Sequence, residues 1–518
     1  MKRRSFIKSG SALSLPFFLN GIPLNSMGMP SAFGGMNGDS DRVLVLIQLN
    51  GGNDGLNTLV PLDVYDNLAN LRSNIIIPQN SLIQITGDNS FNPNMTGMAD
   101  LFDDAKLNIV QSVGYPNQNR SHFRSTDIWN SGSAADEFLN TGWVGRYFQN
   151  RFPEYPGEFP NDDCPDPFAL TIGHSVSETC QGLSANYSLA VNNPNDLFEL
   201  PEGLGGNPDL STCYGFQLDF VRTAILQTND YADRIIETYD AGNNIATYPN
   251  ENNLANRLKT VAKLISGGCQ TRVYIVAQGG YDTHANQTED GSPTTGEHAE
   301  LLKELSDAMN SFQKDLTELG LEERVIGMTY SEFGRQIKSN DGIGTDHGSA
   351  APLFVFGSCV NPGIIGDNPE IPAQVQNQAG VPMQYDFRSV YGSILMDWFE
   401  VPEAEVRDSL FDDFQYLPIL QPCGTVDTND LSSPDFELRV FPNPCTNYAS
   451  LRFNSKSEDI SITLFDAIGS QLKVISSRKF VEGQHEVKFE VRDLLPGNYF
   501  VRLQGKQGAT TKSLIKIN

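Results

Sequence analysis

The sequence is poor in histidine, short of positive charge and without a CxxC pair of cysteines. Only six histidines occur in 518 residues, so any that recur beside acidic residues carry information. Seven cysteines (Cys164, Cys180, Cys213, Cys269, Cys359, Cys423 and Cys445) are scattered with no CxxC pair, which argues against a zinc-finger or thioredoxin-type centre. Their odd number leaves at least one thiol unpaired within the chain. Cys164 with Cys180 is the candidate short disulfide loop, although a large core makes disulfides optional. Lysine and arginine number 36 against 63 acidic residues, a formal net charge of -27. That balance opposes the phosphate backbone of nucleic acids and offers no attraction to anionic membranes. It leaves room only for a local basic groove that takes a single phosphate or sulfate group. No stretch reaches 18 consecutive apolar residues, so no transmembrane segment is expected in the mature form. No GxSxG elbow occurs, which counts against a serine hydrolase of the α/β-hydrolase kind. Apolar residues are not lacking: 39% of the chain, with 30 Phe and 17 Tyr, is ample for a packed core. The length suggests two to four domains.

The two ends read as addresses. MKRRSFIKSG and the apolar SALSLPFFLNGIPL give a basic start and a short apolar segment broken by Pro and Gly, an export signal and not a membrane span. Arg3-Arg4-Ser5-Phe6-Ile7-Lys8 resembles the twin-arginine consensus; an ordinary Sec signal is the alternative. The twin-arginine route carries folded proteins, often with cofactors loaded. From Glu437 to Asn518 the composition changes to 12 Lys or Arg against 8 Asp or Glu, leaving -31 on the rest of the chain. Alternating runs (Ile460, Ile462, Leu464; Val487, Phe489, Val491; Tyr499, Val501, Leu503) separated by turn residues predict a small β-sandwich. Val440-Phe441-Pro442-Asn443-Pro444, LFDAIGSQL, LLPGNYFVRL and the final SLIKIN resemble the C-terminal sorting domain of type IX secretion substrates. The alternative is a carbohydrate-binding or fibronectin-like sandwich. These readings predict a signal over 1–38, a main domain over 40–422, a polar linker over 423–436 and a sorting domain over 437–518. The partners implied are the twin-arginine and type IX export machineries, and the destination is the cell surface or the extracellular space, by way of the periplasm.

The middle carries the chemistry. Arg42-Val-Leu-Val-Leu-Ile-Gln-Leu49 is a continuous apolar run of the kind found in buried parallel strands, and it ends in Asn50-Gly-Gly-Asn-Asp-Gly55. Asp54 is thereby delivered to the carboxyl end of a strand, the edge where open α/β sheets bind ligands. Leu107–Val113 predicts a second strand, followed by Arg120-Ser-His-Phe-Arg-Ser-Thr-Asp-Ile-Trp129. A helix beginning near Ser121 would face an anion with its free N–H groups. A third strand, Arg272–Ala277, runs into Asp282 and His284. A helix with Leu301, Leu302, Leu305, Met309, Phe312, Leu316 and Leu319 at helical spacing follows, and its stripe reads as core. The fourth strand, Arg324–Tyr330, ends in Ser331-Glu-Phe-Gly-Arg335, and Gly344-Thr-Asp-His-Gly348 precedes another apolar run. Four of the six histidines (His122, His284, His298, His347) lie in or near these loops, beside Asp54, Asp282, Glu332 and Asp346. Imidazole with carboxylate suits a divalent cation such as Zn or Mn without any thiolate.

GGNDGLNTLVPL, SHFRSTDIW, GGYDTHANQ, SEFGRQ and GTDHG, spread over 40–422, resemble the DUF1501 family of the alkaline phosphatase and sulfatase superfamily. The resemblance implies a doubly wound α/β/α domain followed by the small β-sandwich. It also implies divalent metal ions (Zn, Mn, Mg or Ca) and hydrolysis of phosphate or sulfate esters, small molecules or glycans. By position, Asp54 would be the ligand after the first strand, and Ser121 the nucleophile bridging two ions, with His122 beside it in the catalytic set. Asp282, His284 and His347 would hold one ion, with Glu332 and Asp346 completing the ligands. Arg120, Arg124 and Arg335 are the candidates for clamping anionic oxygens. The superfamily has a histidine where this chain has Phe333, so His122 or Asp346 would have to compensate. The competing reading is a non-catalytic surface protein that retains the fold and binds a glycan or a partner. The Asn-, Pro- and Gly-rich stretch between Trp143 and Gln270 predicts a cap over the pocket.

Overall fold

The structure is a computed structural model that describes residues 41–422 and 439–516, apart from residues 184, 198–208, 210, 290, 442, 444, 466–470, 496 and 506–507. The export signal and the linker expected from the sequence lie outside the described residues. The chain divides into two compact units, Met1–Cys423 and Gly424–Asn518. Among the described residues no helix is long and apolar enough to cross a membrane.

In the first unit, strands β1 (Val43–Asn50), β2 (Leu107–Gly114), β3 (Ala169–Ile172), β4 (Ser188–Val191), β5 (Val273–Gly279), β6 (Val325–Tyr330), β7 (Ala351–Phe356), β8 (Gly363–Ile365) and β9 (Tyr385–Asp386) form one sheet. The order is β8-β2-β7-β6-β1-β5-β3-β4, with β9 also on β2. β1 pairs in parallel with β5 and β6, and β3 in parallel with β5 and β4. Only β7 runs against its neighbours β2 and β6. Because the first strand is apolar on both faces, its side chains alternate between two cores. Leu44 and Leu46 join one cluster, whereas Val43, Val45, Ile47 and Leu49 join the other. Helices α1 (His122–Ser131) and α4 (Phe387–Phe399) contribute to the first cluster. Helices α2 (Asn253–Ser266) and α3 (Glu297–Glu318) contribute to the second. The result is a sheet covered on both faces, the α/β/α architecture that continuous apolar strands require.

The helical stripe after the third predicted strand is buried as expected: Leu302, Leu305, Met309, Phe312 and Leu316 all lie inside on α3. The stretch between Trp143 and Gln270 departs from the cap reading. It supplies β3 and β4 at the edge of the main sheet, and α2 over one face. Four-residue strands are too short to show a period, so composition alone hid them. Cys180 carries a free, buried thiol, which rules out the Cys164–Cys180 loop, and Cys359 is disulfide-bonded.

The second unit is a small antiparallel β domain. Strands β10 (Arg439–Phe441), β11 (Tyr448–Phe465), β12 (Gln471–Glu490), β13 (Gly497–Gly505) and β14 (Gly508–Lys516) build it. β11 pairs along its length with β12, and passes from β10 at its start to β13 at its end. Residues from both halves, including Leu451, Phe453, Ile462, Leu464, Val501 and Leu503, share one buried cluster.

Candidate metal centre

Five segments meet at the carboxyl edge of the main sheet, among them the one after β2 that carries His122. The loops after β1, β5 and β6 arrive there because those strands are parallel. The segment 344–349 arrives because β7 is antiparallel, which puts its start, not its end, at that edge: Ala351 pairs with Val113 near the end of β2. Gly51 is obligatory in this crowding. It has φ +122°, and a Cβ there would lie 2.3 Å from the backbone nitrogen of Asp282.

Three imidazoles surround one carboxylate oxygen. His122 Nε2, His284 Nε2 and His347 Nε2 lie 3.3, 3.1 and 3.3 Å from Asp282 Oδ1. His284 Nε2 and His347 Nε2 are 2.8 Å apart. The opposite ring nitrogens are each engaged. His347 Nδ1 meets the Arg120 carbonyl at 2.7 Å, which can only accept, so Nδ1 carries the proton. His284 Nδ1 meets Asp346 Oδ1 at 2.8 Å. Burial alone would raise the Asp346 carboxyl, but hydrogen bonds from His284 and Asn340 hold it below its ordinary value, so it too accepts. His122 Nδ1 meets Glu332 Oε1 at 2.8 Å, an oxygen that already accepts the Gly51 N–H at 2.9 Å. In the neutral rings, therefore, all three Nε2 atoms present lone pairs to one another and to a carboxylate.

Such a cluster is repulsive unless a proton or a metal cation enters it. His122 Nε2 is buried and makes no hydrogen bond, its 3.3 Å approach to Asp282 lacking hydrogen-bond geometry. Burial and the nearby positive charge of Arg335 push His347 below the usual histidine range, opposed by the Arg120 carbonyl, so the lone-pair form is favoured. Burial raises Asp282, yet the Arg335 hydrogen bond and charge hold it at about 2. Ligand atoms about 2.0–2.1 Å from a tetrahedral cation are about 3.3 Å from each other, close to the observed spacing around Asp282 Oδ1. The donor set, with each imidazole backed by an acceptor, fits a divalent cation. Among the described residues His122, Asp282 and His347 form the group whose candidate ligand atoms all lie within 4.8 Å of one another, with His284 closing on the same oxygen.

Residues 249–389 match the family model described as "Protein of unknown function (DUF1501)", and residues 439–518 match "Secretion system C-terminal sorting domain". The chain carries both domains. The sorting domain marks it for export to the cell surface or the extracellular space. No curated protein matches the chain. Similar solved structures include a Bacteroides thetaiotaomicron protein of glycosaminoglycan metabolism, at 8% identity over 85% of this chain and 89% of that one, TM-score 0.36. An alkaline phosphatase superfamily protein from Vibrio parahaemolyticus is 9% identical over 91% and 78%, TM-score 0.31. A phosphonate monoester hydrolase from Silicibacter pomeroyi is 10% identical over 92% and 89%, TM-score 0.32. Likenesses of that strength say nothing about what this chain acts on.

The DUF1501 segment contains Asp282, His284, Glu332, Arg335, Asp346 and His347, whereas His122 comes from α1 outside it. Several residues expected at the site have other positions or tasks. Asp54 is fully buried away from the cluster. Arg72 Nη1 reaches its two oxygens at 3.1 and 2.9 Å, and Gln287 Nε2 reaches Oδ2 at 2.6 Å, so it is committed to an internal ion pair. Glu332 and Asp346 stand behind His122 and His284 instead of presenting ligand atoms. His122, expected in the catalytic set, closes on Asp282 Oδ1 beside the other two imidazoles, and the buried Phe333 ring packs against His122 and His347 at 4.9 and 4.8 Å. Arg335 is buried, donates to the carbonyls of Gly51, Gly52, Tyr281 and Thr345, and holds Asp282 Oδ1 at 2.7 Å. It ties the loops together and is no anion clamp. Arg124 is occupied by Asp127 and the carbonyls of Ala134, Ala135 and Glu137, and it stacks over Phe138. Arg120 is the partly exposed one, with Nη1 on the Gln378 carbonyl at 2.8 Å. Ser121 is exposed at the N-cap of α1, and its hydroxyl makes no capping bond. His298 is buried, bonded to Asn53 Oδ1 at 2.9 Å and pushed down to about 4 by burial; it belongs to the core.

Sequence reasoning passed over Arg72, Asn340 and Gln287. Arg72 had no pattern around it. Asn340 donates to the His284 carbonyl and to Asp346 Oδ1, and Gln287 stands inside the quoted GGYDTHANQ motif without an assigned role.

Proposed function

We propose that the chain is an exported metal-dependent hydrolase of phosphate or sulfate esters, with one divalent cation held by His122, His284, His347 and Asp282. The observation that carries this reading is the convergence of three imidazole Nε2 atoms on Asp282 Oδ1, each ring backed by an acceptor. A divalent cation bound there supplies Lewis acidity toward an ester oxygen. Ser121 is the nucleophile candidate: it is exposed, free of capping duty and next to His122. The N-terminus of α1 offers N–H groups to an anionic ester group, and Arg120 offers a guanidinium with donors to spare. The proposed route is twin-arginine export to the periplasm followed by type IX secretion, which suits a protein folded around its cation.

The commitment of Asp54 to Arg72 removes the ligand a second ion would need, and it favours a second reading: a non-catalytic binding protein with one structural ion. Elemental mass spectrometry of the purified protein, followed by a panel of phosphate and sulfate esters with Zn, Mn, Mg or Ca, separates the two. One equivalent with turnover that Ser121→Ala abolishes supports the hydrolase. One equivalent with silence across the panel supports the binding protein. No metal after reloading overturns both.

Glu332→Gln is expected to weaken cation binding by about 10- to 100-fold while leaving the fold intact, because the amide is a poorer partner for His122 Nδ1–H than a carboxylate. Chelator competition reads this directly, and an unchanged affinity would remove Glu332 from the site.

A further inference from the structure

We propose that Gln287 is a positioning residue, which sets the spacing of the cation's ligands by tying both ligand-bearing loops to buried Asp54. This rests on the metal-centre reading above. The loop after β5 alternates like a strand: Tyr281 and Thr283 point into the core, and Asp282 and His284 are turned toward solvent. In the other loop Thr345 is buried and Asp346 and His347 are partly exposed. Both threonine hydroxyls donate to the same atom, Gln287 Oε1, at 3.2 Å from Thr283 and 2.6 Å from Thr345. Gln287 Nε2 donates to Asp54 Oδ2 at 2.6 Å, and Asp54 is anchored in turn by Arg72. The backbones are joined as well: Thr345 N–H bonds the Thr283 carbonyl at 3.1 Å, and Gln287 N–H bonds the Ile343 carbonyl at 3.0 Å.

The chemistry explains the residue type. An amide accepts two hydroxyl protons on oxygen while donating to a carboxylate from nitrogen; glutamate would set a second carboxylate against Asp54. Gln287 is wholly buried, and none of its side-chain hydrogen bonds goes to a ligand residue, so its effect passes through Thr283 and Thr345. Thr283 lies between Asp282 and His284, and Thr345 stands two residues before His347; the ligand atoms of these three residues are spaced by 2.8 to 3.3 Å. A shift of a few tenths of an ångström in either loop alters that spacing.

The test uses the full chain with Gln287→Leu, the Thr283→Val/Thr345→Val pair, and the combination. Zn(II) affinity is measured by chelator competition, and the visible spectrum is recorded with Co(II). In the metal-free proteins, imidazole nitrogen resonances report the three histidines separately. The expected result is an affinity about 10- to 100-fold weaker in Gln287→Leu, with a changed Co(II) spectrum. The combined variant should be no worse than the weaker parent, because both changes cut one link. In the metal-free protein the His284 and His347 signals should move, and the His122 signals, whose ring is carried by α1 and senses the loops only through Asp282 and His347, should move less. Wild-type affinity and unmoved His284 and His347 signals would overturn the proposal. If Gln287→Leu fails to fold, the threonine pair carries the same comparison. If the wild type takes up no cation, the metal-centre reading fails, and the ring signals alone decide whether Gln287 positions the loops.

Discussion

Changing Asp282 and His284 together to alanine should leave the purified protein unable to take up the proposed cation, while it remains folded. Asp282 Oδ1 is the atom on which the three Nε2 atoms converge, and His284 Nε2 is in contact with His347 Nε2. Removing a group behind a ligand costs about 10- to 100-fold in affinity, and removing two ligands exceeds that range. Folding should survive at reduced stability: both side chains are partly exposed and the loops keep their buried attachments through Thr283 and Arg335, but the buried Arg335 guanidinium loses its carboxylate partner. Elemental analysis against wild type decides the matter. Retention of one full equivalent by the variant would refute the ligand assignment, and a loss of helix signal would mean that the loss of metal follows from unfolding.

Arg72→Met should cost about 3–5 kcal/mol of unfolding free energy, the usual consequence of leaving one partner of a buried ion pair behind. Domains are stable by about 5–15 kcal/mol, so the variant would stand near its limit. Arg72 and Asp54 are both fully buried, and Arg72 also serves Asn57 Oδ1 and the carbonyls of Gln336 and Ile337. Burial pushes the Asp54 carboxyl up, but the Arg72 charge and the Gln287 amide hold it below its ordinary value. A carboxyl whose folded value is depressed stabilises the protein above its unfolded value of about 4, and the contribution is lost as the pH falls through the folded value. Without Arg72 the burial effect, the largest on Asp54, outweighs the remaining Gln287 hydrogen bond and the sign reverses: the folded value lies above the unfolded one. The variant then loses stability as the pH rises from about 4 toward neutrality. Denaturant melts at both ends of that range should show a gap from wild type that widens with pH. A gap of the same size at both ends would mean that lost packing, not the stranded carboxylate, explains the defect. Arg72→Met/Asp54→Asn should recover part of the loss, because an amide tolerates the site without a counter-charge.

Much of the candidate metal centre was legible because its parts follow strands directly. Asp282, His284, Glu332 and His347 each come within a few residues of an apolar run or a glycine-rich turn, and parallel strands deliver such segments to one edge. The segment carrying His347 reached the same edge for a different reason, the reversed direction of β7. What periodicity could not supply was the division of labour among acidic residues. Asp54, Asp282, Glu332 and Asp346 look alike in sequence. One is held by a guanidinium 18 residues away, one meets three imidazoles, and two accept from ring nitrogens. The arginines divide in the same way: Arg335 is consumed by four carbonyls and Asp282, and Arg124 by its own helix and the loop beyond it.

By itself, then, the sequence determined the order of two units, four of the buried strands, the amphipathic helix carrying the stripe from Leu301 to Leu316 and the set of loops that meet at the sheet edge. These depend on local pattern: runs of apolar residues, helical spacing and turn residues, each satisfied within a short window. Only the tertiary structure shows that His122 Nε2 closes on Asp282 Oδ1 beside His284 and His347, that Asp54 is held by Arg72, and that Gln287 bonds Thr283, Thr345 and Asp54. Those outcomes depend on charges and hydrogen bonds between residues as far as 233 positions apart, where burial makes each partner's identity decisive and sequence spacing carries no record of it.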